Sequence, residues 1–133
     1  MRSTLSDTDL SRQNKPPCNT SMTSCSTSTE RQRRSSFIQE EYVQHNPYLA
    51  DGREPFIDYF GTLFTEYPNS RIDVKHLVAE GDYVVVHSHF TRWPSNRGTA
   101  MVDIYRLEGG RLAEHWDVTE DVPERAANRN TMF

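Results

Sequence analysis

The stretch GTAMVDIYRLEGGRLAEHWDVTEDVP, residues 98–123, reads as a β-hairpin. One strand covers residues 99–107, Glu108-Gly109-Gly110 forms the turn, and the return strand covers residues 111–119. Two glycines supply the positive φ that a tight turn needs. Side chains alternate between the faces of a strand. Met101, Asp103 and Tyr105 therefore share one face of the first strand. On the return strand His115 and Asp117 share a face, and Leu112, Glu114, Trp116 and Val118 take the other. Aspartate is depleted within strands and costly to bury unpaired. Here Asp103 and Asp117 lie on facing strands of one hairpin, and two carboxylates buried together on one side of a sheet suit proton transfer.

The rest of the chain extends outward from this hairpin. Its 133 residues suffice for one domain with a real core. Residues 1–36 carry six Arg/Lys against three acids, net +3, whereas residues 37–133 carry nine against sixteen, net −7. An acidic folded part argues against nucleic acid as the main partner. Cys18 and Cys25 are the two cysteines, both in the polar N-terminal part, which suggests a reducing, cytoplasmic setting. No apolar run approaches the ~20 residues of a membrane span, and no secretory h-region is present, so no membrane partner is expected.

Residues 1–36 are rich in Ser, Thr, Arg and Gln, with Leu5, Leu10 and Met22 as the large apolar residues. Such a segment buries too little surface to offset ordering entropy, and a disordered tail is expected. The domain should begin near Phe37, with a helical turn leading into a strand over residues 42–45 and a loop at Asn46-Pro47. Asp51-Gly52-Arg53-Glu54 has the form of a capping box with Asp51 as N-cap. A helix over residues 53–66 follows, with Phe56, Phe60, Leu63 and Phe64 on one stripe facing a core. Residues 71–79 and 83–91 alternate as strands around the turn Glu80-Gly81-Asp82. A helix followed by a meander of antiparallel strands makes an α+β fold. A curved sheet wrapped around a helix leaves a concave, pocket-bearing face.

Several polar groups could carry chemistry there. Asp117 reads as a general base or acid in an apolar pocket, or equally as a surface carboxylate or a structural one bonded to His115 or Arg106. Asp103 reads as a pocket group or an ion-pair partner within the sheet. His87 and His89 share a strand face with Val85, and an H-x-H pair can chelate zinc if a third ligand such as His45 or Asp103 joins it. A hydrogen-bonded pocket histidine is the simpler reading, and no metal is expected. Leu112, Trp116 and Val118 on the convex face need covering, which points to a homodimer through the sheet.

Four segments together resemble a known family: YVQHNPYLADG (42–52), VKHLVAEGDYVVVHSHF (74–90), RGTAMVDIYRLEGGRLAEHWDV (97–118) and VPERAANRNTMF (122–133). They look like the SnoaL-like polyketide cyclases, in the subgroup of SnoaL-like aldol-condensation enzymes, within the NTF2-like (cystatin-like cone) superfamily. The resemblance implies a cofactor-free cone of curved sheet and helices around a deep apolar cavity. In such cyclases a cavity acid removes a C–H proton, and the enolate attacks a carbonyl in an intramolecular aldol closure. Asp117, in EHWD, matches that acid/base. Asp103, in VDIYR, stands where the cyclases have a histidine. The resemblance covers residues 42–133, the SnoaL-like domain being set at 37–133.

The expected catalytic set is therefore Asp117, Asp103, His87 and His45. His89, Asn46, His115, Tyr105, Met101 and Phe60 are expected to contact a small apolar carbonyl substrate. Relatives begin with an N-terminal helix that lids the cone; here a Ser/Thr-rich segment stands in that place, so the lid is expected to be missing or degenerate. A non-catalytic small-molecule-binding or dimerisation module, or a shortened inactive homologue, is the alternative.

Overall fold

The computed structural model describes residues 31–133. The disordered tail expected over 1–36 lies, for residues 1–30, outside the described residues. Residues 31–36 are helical, and Arg31 pairs with Glu54 and Asp58. The order of elements is β1 (Ile38–Gln44), α1 (Arg53–Glu66), β2 (Arg71–Glu80), β3 (Tyr83–Thr91), β4 (Thr99–Glu108) and β5 (Arg111–Asp121). The five strands form one sheet in the order β1-β5-β4-β3-β2. Strands β2 to β5 are the expected antiparallel meander, while β1 joins the far edge parallel to β5.

The first strand starts earlier than its propensity suggests. Residues 38–41 are strand because Ile38 pairs with Leu112 and is buried, as is Tyr42. Ile38, Tyr42 and Ile57 form the core cluster, with Phe56 and Leu112 packed against it. Leu112 therefore does not join Trp116 on the convex face. The register of β4 against β5 slips between Arg106 and Leu107, and the bulge turns Leu112 to the core side. The register also shifts between Ile38 and Val43 in β1 and between Val74 and His76 in β2.

The helix occupies residues 53–66 as its stripe predicts, but Asp51 does not cap it. Gly52 is the N-cap, at φ 98°, and no side chain bonds the first turn. The Asp51 carboxylate instead accepts the Gln44 amide at 2.8 Å and ties the end of β1 to the loop. The aromatic stripe lies over the inner face of the sheet. Phe56 meets Tyr42 edge-on at 5.1 Å, and Phe60 follows Phe56 at 4.7 Å.

Candidate active site

The hairpin register brings Asp103 directly opposite Asp117, and Tyr105 opposite His115. All four side chains leave the same face of the sheet, toward α1. That face bounds a cavity of about 240 Å³. Phe56, Phe60, Leu63 and Met101 supply apolar wall, and Asp103, His115, Asp117 and Asn46 form its polar end. Asp103 and His115 are buried.

Hydrogen bonds fix the protons here. Asn46 receives the Tyr48 amide on Oδ1 at 2.9 Å, which identifies its oxygen. Its Nδ2 then donates to Asp117 Oδ2 at 2.7 Å. Gln44 Oε1 accepts the Asn46 backbone N–H at 3.0 Å, and a backbone amide can only donate. The same oxygen lies 2.9 Å from His115 Nδ1, so Nδ1 carries the hydrogen and donates to it. His115 Nε2 faces Asp103 Oδ1 at 2.9 Å. Because Nδ1 is already protonated, one proton must lie between Nε2 and Oδ1, shared by a neutral-overall His–Asp couple.

Tyr105 stacks on the His115 ring at 4.7 Å. Burial, then the charges of Asp103 and Asp117, push its hydroxyl well above the usual phenol range, so it stays protonated. Burial does the same to Tyr42, with the charges of Tyr105, Asp103 and Asp117 adding to it. The Tyr42 hydroxyl has no hydrogen-bond partner among the described residues.

Of the expected site residues, Asp117, Asp103, His115, Asn46, Met101 and Phe60 line the cavity. Tyr105 backs His115 from behind without lining it. His45, His87 and His89 stand on the other face, which corrects the expectation that they share the pocket. The physical reason is register. Val86 opposes Asp103, so its neighbours His87 and His89, opposite Val102 and Ala100, point away. His45 stacks on Trp116 at 4.6 Å and meets Glu114 at 2.8 Å. His89 donates from Nε2 to the Arg97 carbonyl at 2.7 Å, which removes that nitrogen from any H-x-H chelate. His87 Nδ1 lies 3.0 Å from His76 Nδ1. Gln44 ends β1, and its place two residues before Asn46 is the one signal the sequence gives for it.

Asp103, His115 and Asp117 offer ligand atoms all within 4.8 Å of one another, and one imidazole with two carboxylates is a donor set that a divalent cation accepts.

An α+β cone whose sheet and helix enclose a polar-ended cavity is the NTF2-like architecture. The chain belongs to the SnoaL-like domain family, whose model matches residues 30–115. Solved structures agree in fold. A proposed polyketide cyclase from Bacillus cereus ATCC 10987 has a TM-score of 0.58 at 18% identity, over 69% of this chain and 64% of that one. This chain thus spans under two thirds of that protein. A proposed isomerase of the SnoaL-like family from Agrobacterium tumefaciens str. C58 has a TM-score of 0.59 at 12% identity, over 70% and 82% of the two chains. IdmH, a proposed polyketide cyclase from Streptomyces antibioticus, gives 0.55 at 19% identity, over 70% and 82%. No curated protein sequence matches the chain. Among the described residues no helix is long and apolar enough to cross a membrane.

Proposed function

We propose that this chain is a small acid/base enzyme acting on an enolisable carbonyl compound. The observation that carries the reading is the convergence of Asp103, His115 and Asp117 at the end of an apolar cavity. Asp117, held by Asn46, takes the proton from the carbon beside the carbonyl. The His115–Asp103 couple delivers its shared proton to the oxygen as enolate charge develops. The enol then returns its O–H proton to the couple as its carbon either takes the proton from Asp117 at a new position or attacks a second carbonyl, whose new alkoxide Asp117 protonates. Pairing a base with a separate proton donor is what enolisation needs, and each contributes about 10²–10⁴-fold.

The test is α-proton exchange of small ketones in D₂O, followed by ¹H NMR. Enzyme-dependent exchange that disappears in Asp117→Asn supports the reading. A ketone that binds without exchange leaves the non-catalytic binding module in its place. A homodimer through the outer sheet face is part of this proposal, because Val78, Val102 and Val118 lie exposed there. A cytoplasmic setting is part of it too.

A further inference from the structure

We propose that the far end of the cavity is an anion-binding subsite, built from Arg92 and Arg97, for a carboxylate or phosphate group of the substrate. The proposal rests on reading the cavity as the substrate site and is independent of the chemistry at Asp117. Arg92 lines the cavity and also a second, more polar pocket of about 340 Å³, which Arg97, Ser95 and Asn96 border. The two spaces share Arg92 and Asp121 as walls and so adjoin.

Neither arginine makes an ion pair among the described residues, in a domain with a net charge of −7. The Arg92 guanidinium lies over the Phe90 ring at 5.6 Å and the Tyr67 ring at 5.8 Å, which hold it without neutralising it. Arg97 uses Nε on the Val122 carbonyl at 3.4 Å, leaving its terminal nitrogens for a ligand. One carboxylate, Asp121, faces the same space and accepts the Thr99 hydroxyl at 2.9 Å. Two guanidinium groups against one carboxylate leave a net positive wall.

The loop carrying both arginines is held in place beforehand. His89 donates to the Arg97 carbonyl, Asn96 Oδ1 accepts the Arg92 amide at 3.3 Å, and the Val122 amide donates to the Gly98 carbonyl at 3.0 Å. This accounts for His89, which the cavity does not use. Asp117, Thr119 and Asp121 follow one another on the inner face of β5, and four residues of strand span about 13 Å. The substrate class is thus a carbonyl compound with an apolar body and an anionic group roughly that far from the reacting carbon.

The experiment compares 4-phenylbutyrate, 4-phenylbutyl phosphate and the neutral 4-phenylbutyramide by calorimetric titration at low and high salt. At low salt at least one anion should bind about tenfold or more tightly than the amide, as expected of charge-assisted bonds, and the advantage should shrink with salt. Preference for the phosphate or for the carboxylate tells the two sources apart, and either supports the site. The advantage should fall in Arg92→Gln and in Arg97→Gln, vanish in the double variant, and persist in Asp117→Asn, which loses only the exchange reaction. Equal binding of amide and anions, or an advantage surviving in the double variant, overturns the anion site alone. Failure of all three compounds to bind overturns the cavity as a substrate site along with it.

Discussion

At the residue scale, the site is ordered by two backbone amides. The Tyr48 and Asn46 N–H groups fix the Asn46 and Gln44 side-chain oxygens, and those in turn fix which nitrogen of His115 is protonated. Gln44 is therefore a positioning residue. Replacing it with Leu should shift the His115 hydrogen away from Nδ1, visible in ¹⁵N spectra of the imidazole, while Gln44→Glu, which keeps the acceptor, should largely preserve the wild-type pattern. An unchanged Nδ1–H signal in Gln44→Leu would sink this assignment. Asp117→Asn should lower kcat for carbonyl α-exchange by about 10²-fold or more with the melting curve unchanged, because the amide cannot accept the proton. Sequence alone marked Asp103 and Asp117 as unusual, since acids in the middle of strands demand a partner. It could not see Gln44, whose importance lies entirely in what its oxygen receives.

At the scale of elements, the hairpin follows from its own residues: alternation, a Gly-Gly turn and two facing acids. The helix likewise declares itself by its aromatic stripe. Parity within β3 was legible, since His87 and His89 do share a face with Val85. Which face that is depends on the pairing of β3 with β4, a long-range fact absent from any local pattern. Two substitutions test how the elements hold together. Gly98 sits at φ 79°, and a Cβ there would overlap the Phe90 carbonyl oxygen. Gly98→Ala should cost about 2 kcal/mol or more by urea unfolding. Ile57 is the buried residue of α1, packed with Ile38 and Tyr42. Ile57→Ala should cost about 2–4 kcal/mol, and a loss under 1 kcal/mol would mean that α1 is not anchored through this cluster.

At the scale of the whole molecule, the outer sheet face combines exposed valines with a charged cluster. His45, then Arg106, hydrogen-bond Glu114 and hold its carboxyl below its ordinary value of 4.5. A group held low in the folded state adds stability that is fully present above the unfolded value and lost as pH falls through the folded one. Thermal stability should therefore decline below about pH 4.5, and Glu114→Gln should flatten that slope. An unchanged slope in the variant would assign the acid sensitivity elsewhere. Sedimentation at micromolar concentration should give a dimer, and Val118→Glu should return it to monomer.

By itself the sequence determined the class of fold, the helix, the hairpin and the two carboxylates, because each rests on periodicity, turn chemistry or a residue type that is costly where it stands. Only the tertiary structure decided which histidine serves the cavity. His115 enters it and His45, His87 and His89 do not, because side-chain direction along a strand alternates with a period of two. A single step in register, or one bulge such as that at Leu107, moves a residue from one side of the sheet to the other.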